Sequence, residues 1–237
     1  MSRRKVKHVV GAMNDLNNNC LGRDSLRAKI TAFTRRRRLG ATKLLQMIVY
    51  RVYTSLQLAA DIFYDCINEN PVSKQAFSKA RAGLNPEYVR EYFDMSAREF
   101  STDESLSRHR GRLLIAIDGT DISLENSEEL KREFGRSGPN KNAATALASI
   151  AFDPLGQIAF DCRIDKHGAS ERALAIKHMD RLAELGLDGS ILLMYRGYPS
   201  VGLVAAVMAR GFSFVMRVKE KWDAQVDAME AQGWRKV

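Results

Sequence analysis

Two short apolar runs in this chain end on residues of very different chemical aptitude. "RLLIAIDGT", Arg112 to Thr120, closes around Asp118, and "ILLMYRGYPS", which starts at Ile191, runs out at Tyr195 and Arg196. Both read as buried strands ending in loops, and loops beyond the carboxyl ends of strands in an α/β sheet are where reacting groups gather. A carboxylate such as Asp118 suits a hard divalent cation, which prefers anionic oxygen. Two carboxylates on adjacent tips would hold a pair of cations and clamp a phosphodiester from both sides. Tyr195 cannot take that part, because a phenol with its ordinary pKa of about 10 is neutral at physiological pH. A phenol can instead act as a nucleophile toward phosphorus. That chemistry gathers arginines and histidines around the ring, and His8, His109, His167 and His178 form no matching motif. Taken by itself, Asp118 also reads as an Asp-Gly turn at a strand end.

The elements that must carry these tips follow from the pattern between them. After the first strand comes a polar loop, "ENSEELKREFGRSGPNKN", and Asp121 is read as part of that irregular stretch. "TALASIAFDPLGQIAFDCRID" gives two strands around Asp153-Pro154-Leu155-Gly156, where proline and glycine mark a tight reversal. Asp161 and Asp165, flanking the later strand, are read as structural. "ASERALAIKHMDRLAELG" is an amphipathic helix with Ser170 as N-cap and Gly186 as its stop. Glu171 and Arg172 at its start suit the helix dipole. "ILLMY" is the next strand, "SVGLVAAVMARG" a helix, and "FSFVMRV" a last strand ending in Arg217. Gly197 is expected to permit a tight turn. The order β, β, β, α, β, α, β describes a hairpin extension followed by alternating parallel units.

The first half has another character. "RRRRLGATKLLQMIVYRVYTSLQLAADIFYDCI" places Leu44, Leu45, Ile48, Val49, Val52, Tyr53, Leu56 and Leu58 near helical spacing. Arg35, Arg36, Arg37 and Arg38 precede it, either as a phosphate-contacting turn or as a solvated helix start. Ser73 caps a short helix through Ala82, Gly83 ends it, Asn85 caps the next and Pro86 suits its first turn. Two short helices carrying Lys74, Gln75, Lys79 and Arg81 resemble a helix-turn-helix, although many helical hairpins look alike and bind nothing. Phe77, Tyr88 and Phe93 read as core. The polar stretch from Ser101 reads as a linker.

The charge divides the chain at the same place. Residues 1–110 hold 20 lysines and arginines against 11 acidic residues, whereas residues 111–237 hold 17 of each. The whole surplus of +9 therefore lies in the helical half. A segment-specific positive field points to a polyanion, with double-stranded DNA ahead of an anionic membrane, for which no basic stretch carries an apolar anchor. No apolar run approaches the roughly 20 residues that cross a bilayer, and the start lacks the apolar core of a secretory signal. Cys20, Cys66 and Cys162 are odd in number and far apart, which suits reduced thiols in a cytoplasm rather than a disulfide frame or zinc site.

Several of these stretches together resemble one family. "IDGTDISL", "SIAFDPLGQIAFDCRI", "SERALAIKHMDRL", "RGYPS" and "FSFVMRV" resemble successive motifs of the bacterial insertion-sequence DDE transposases with a β-strand insertion, the IS-four-like group. "VSKQAFSKARAGLNPEYV" is similar to their DNA-binding segment. The resemblance covers roughly residues 35–220. It implies an α/β fold: a ribonuclease H-like mixed sheet, incomplete here, over residues 106–237, preceded by an all-α, basic DNA-binding domain over residues 1–105. It implies a transposase that binds inverted-repeat ends and cuts and joins strands with Mg²⁺ or Mn²⁺ held by three acids. Asp118 matches the first acid, as catalytic residue and metal ligand. The second acid precedes an Arg-Gly-Tyr, a slot filled here by Tyr195. The third, a glutamate on a later helix, matches neither Glu220 nor Glu230, which gives the expectation of a C-terminally truncated, catalytically defective chain with weakened metal binding. Arg196 is expected to touch DNA phosphate or to pair with a carboxylate. A cytoplasmic, nucleoid-associated protein follows, acting as a homodimer or with full-length transposase; the alternative is a non-catalytic DNA-binding protein or inhibitor.

Overall fold

The structure, a computed structural model, describes residues 27–29, 32–34, 37–49, 55–139 and 142–218. The chain divides into two compact units between Glu99 and Phe100.

In the first unit the apolar periodicity is delivered by separate helices, α1 (Ala41–Val49), α2 (Leu56–Cys66) and α3 (Lys74–Arg81), with α4 (Pro86–Ser101) running on through the division. Each start has a local cause. Ser55 and Ser73 accept hydrogen bonds from the Leu58 and Ala76 N–H groups, and Asn85 accepts one from Glu87, so side chains satisfy the orphan donors of α2, α3 and α4. Leu44, Leu45, Ala60, Tyr64, Phe77, Tyr88 and Tyr92 close one core. Two expectations need correction. The helix after Gly83 has 16 residues and is not short, because the apolar spacing of Tyr88, Tyr92 and Met95 continues the same face. Leu58 is exposed, since the core-facing positions of α2 are Ala59, Ala60 and Tyr64. Val52 and Tyr53 lie outside the described residues.

The second unit is built on β1 (Leu114–Ser123), α5 (Glu128–Phe134), β2 (Arg136–Ser137), β3 (Ala143–Asp153), β4 (Ile158–Lys166), α6 (Glu171–Glu184), β5 (Ile191–Met194), α7 (Val201–Ala209) and β6 (Ser213–Met216). One sheet runs β2-β3-β1-β5-β6, with β4 also paired to β3. β3 is antiparallel to β1 and β4, while β1, β5 and β6 are mutually parallel. This is a mixed α/β sheet of the kind expected, with the first strand at its centre. The β3–β4 reversal is fastened by Asp153, fully buried, whose Oδ1 accepts from the Leu155 N–H at 2.8 Å. Gly156 is required there, because a Cβ would collide with Asp153 Oδ2.

The "polar loop" contains α5 and β2. α5 escapes the periodicity because its seven residues hold two apolar ones, Leu130 and Phe134, and its start depends on Ser127 accepting from the Leu130 N–H. Asp121 lies within β1, opposite Leu147, and is not in a loop. The Asp118-Gly119 pair is likewise no turn: β1 continues past it to Ser123, paired with β3 throughout.

Ile115, Ile117 and Leu192 are at most 1% exposed and fill the centre of the sheet. Leu192→Ala should therefore lower unfolding free energy by about 2–5 kcal/mol, whereas Val215→Ala, at a side chain 55% exposed, should stay within about 0.5 kcal/mol. Urea midpoints at constant slope measure both; equal midpoints would contradict this core.

Candidate active site

The parallel register of β1 and β5 pairs Leu114 with Ile191 and ends with Ile117 opposite Met194. Asp118 and Tyr195 are the next residues on their strands, so they leave the paired region side by side. Asp118 is exposed and accepts from the Gly119 N–H through Oδ1 at 3.0 Å. The following segment turns at once, the Tyr198 N–H donating to the Tyr195 carbonyl at 3.1 Å. Tyr198 then drops into the core at 1% exposure, and Ser200 caps α7 through the Leu203 N–H. Gly197 keeps an ordinary negative-side φ, so the turn does not itself require glycine, contrary to expectation; Arg172 fixes it instead, donating from Nε and Nη2 to the Gly197 carbonyl at 3.2 and 3.0 Å.

The electrostatics of the β5 tip are cationic. Arg196 Nη2 and Arg217 Nη1 donate to the Tyr195 hydroxyl at 2.9 and 3.0 Å. Their guanidinium carbons lie 5.2 and 5.3 Å from the centre of its ring. The Arg196 hydrogen bond, outweighing a small opposing effect of burial and helped by both positive charges, holds the phenol below its ordinary pKa. Of the two roles expected for Arg196, pairing with a carboxylate is not seen; its partner is the phenol.

One acid at this spot escaped the sequence reading. Glu171 opens α6, and its side chain lies against β1 where Gly119 leaves room: a Cβ at residue 119 would meet Glu171 Cγ and Cδ at 3.2 Å. A Cβ at Gly197 would lie 3.8 Å from its Oε2. Two glycines, one within β1 and one in the turn after β5, thus lie close to one carboxylate. The buried Tyr198 hydroxyl lies within reach of the charges of Glu171 and Asp118. Burial first, then the Glu171 and Asp118 charges, raises that phenol well above its ordinary value. A glutamate after a serine cap is ordinary dipole compensation in sequence; only the strand order brings it to Gly119.

The donor set does not fit a pair of divalent cations. Asp118 and Glu171 supply carboxylates, but the third oxygen, on Tyr195, is neutral and flanked by two guanidinium groups that repel a cation. Among the described residues no group of three or more His, Cys, Asp or Glu could hold a metal ion.

The other predicted residues fall elsewhere. Lys74, Gln75, Lys79 and Arg81 are all exposed on α3, and Arg37 and Arg38 are exposed ahead of α1. Arg35 and Arg36 lie outside the described residues. Cys66 and Cys162 are free thiols.

Near β1, half-buried Asp161 and buried His178 and Ser149 form a hydrogen-bonded chain. His178 Nδ1 meets Asp161 Oδ2 at 2.8 Å, Nε2 meets the Ser149 hydroxyl at 2.9 Å, and that hydroxyl reaches the Asp118 carbonyl at 3.3 Å. The order serine–histidine–aspartate is that of a nucleophile relay, yet Ser149 is 1% exposed and faces backbone, so the chain braces β1 at Asp118 instead of meeting a substrate. Burial pushes the Asp161 carboxyl up, but the hydrogen bond and charge of His178 and the Arg163 guanidinium outweigh it and hold it below the usual range. A carboxyl with a lowered folded pKa stabilises fully above the unfolded value, about pH 4, and loses that contribution as pH falls through the folded value. Asp161→Asn should cost about 1–3 kcal/mol at neutral pH and flatten the acid limb of the stability profile. Denaturant titrations from pH 3 to 7 measure this; an unchanged acid limb would contradict the bracing role.

The transposase DDE domain family matches residues 109–236. No curated protein matches the chain. Among solved structures it is similar to the piggyBac transposase in its synaptic complex with hairpin DNA (TM-score 0.48, 10% identity, 93% of this chain and 50% of that one). It is also similar to the N-terminal RNase H domain of rv2228c from Mycobacterium tuberculosis, fused to maltose binding protein (TM-score 0.25, 13% identity, 51% of this chain and 96% of that one). The chain thus spans about half the length of the piggyBac chain. The family match takes in both strand tips, the α6 acid and more than half of the 237 residues, and by it the chain belongs to the transposase DDE domain family.

Proposed function

We propose that this chain is a transposase of the bacterial insertion-sequence, IS-four-like kind that binds inverted-repeat duplex ends without cutting them. Its family works through divalent metal ions, and the observation that supports the reading is Tyr195 following Met194 where Asp118 follows Ile117 in the β1–β5 register, at the position where the resemblance puts the second acid. Acids that act as one unit lose most of their rate when any one is removed. DNA binding is supported by the charge surplus of residues 1–110 and by the exposed Lys74, Gln75, Lys79 and Arg81 on one short helix. A chain that binds ends and does not cut would occupy them against full-length transposase, as an inhibitor or a silent partner in mixed dimers.

A second chemistry has one observation in its favour. Two guanidiniums on the Tyr195 oxygen, with its pKa lowered, are what a phenolic nucleophile asks for. It would leave a covalent phosphotyrosyl adduct that Tyr195→Phe abolishes; histidine is missing from the cluster, and no adduct is expected.

Incubated with labelled inverted-repeat duplex and Mg²⁺, the chain should retard the duplex on a native gel and leave its strands whole on a denaturing one. Retardation should weaken by about 10³-fold or more from 50 to 200 mM salt if six or more phosphates are contacted. Strand cleavage by the unaltered chain would contradict the reading.

A further inference from the structure

We infer that Arg196 and Arg217, held apart by Tyr195, form a phosphate site at the β5 tip that takes a DNA backbone phosphate in place of the lost cation. Its assignment to DNA rests on the transposase reading; the site itself rests on geometry. Both arginines are exposed, and Tyr195 is half-exposed between them. Each guanidinium donates one hydrogen bond to the same phenolic oxygen, at 2.9 and 3.0 Å, and carries five N–H donors in a planar fork. Neither is paired with a carboxylate among the described residues, unlike Arg163, Arg181 and Arg210, each of which is.

Two like charges that converge on one neutral oxygen repel each other in the absence of an anion, and remaining N–H donors are left for one. Bidentate phosphate recognition is what such forks do best. Cation–π contact of both guanidiniums with the ring, at 5.2 and 5.3 Å from its centre, helps keep the pair in place. The loop beneath is rigid, tied by Arg172 to the Gly197 carbonyl and by buried Tyr198. An aspartate at residue 195 would neutralise the pair by taking both forks, so the same substitution that removes a metal ligand frees an anion site.

The test measures duplex affinity against salt in EDTA for the intact chain and for Arg217→Gln, Arg196→Gln, Arg217→Lys and Tyr195→Asp, with Arg210→Gln as control for net charge. The slope of log affinity on log salt should fall by about one for each glutamine variant. Tyr195→Asp should lower it similarly, while Arg217→Lys and Arg210→Gln should keep it. Slopes for Arg196→Gln and Arg217→Gln equal to that of the intact chain, or lowered equally in Arg210→Gln, would overturn the phosphate site and leave the transposase reading standing. Absence of duplex binding by every chain, the intact one included, would overturn both.

Discussion

The register of two parallel strands decides everything at this site. Once Ile117 lies opposite Met194, whatever follows each residue must share one small volume at the carboxyl end of the sheet. Phosphodiester chemistry with two cations needs anionic oxygen from both neighbours there. The chain supplies it from β1 and withholds it from β5, so the sign of charge at one tip sets what the site can hold. The buried β1 and β5 side chains fix the register, and the Asp161–His178–Ser149 chain braces the strand.

A consequence is that the packing of the sheet and the charge at the β5 tip are set by different residues. The sheet and the helix carrying Glu171 pack closely at the tips: Gly119 of β1 admits the carboxylate closely, and Tyr198 is buried. Only the charge is wrong for a cation pair. Arg196 and Arg217 share the Tyr195 phenol instead of a carboxylate. The fold does not depend on a carboxylate at residue 195, because the packing of β1 and β5 is made without one.

Much of this was legible in the residues. Continuous apolar runs bounded by turn residues gave β1, β3, β4, β5 and β6, and Ser170 and Gly186 gave both ends of α6. Those signals are local, so they survive without knowledge of the partner strands. What failed was also instructive. α5 has too few apolar residues to show a period, and Asp118-Gly119 looked like a turn because its pairing with Ser149 and Ile150 lies some thirty residues away in the chain. Glu171 was passed over for the same reason: its local role at a helix start is complete in sequence, and its proximity to Gly119 and Gly197 exists only after β1, β5 and α6 have assembled. Tyr195, by contrast, needs no assembly to notice, since a tyrosine before Arg-Gly-Tyr is visible at once.

With Asp118 at one tip and a phenol between two guanidiniums at the other, this polypeptide should not assemble a pair of divalent cations there. Electron paramagnetic resonance during a Mn²⁺ titration of the DNA-bound chain measures that directly. The account predicts no spin-coupled Mn²⁺ pair at any stoichiometry; a coupled pair that disappears in Asp118→Asn would contradict it.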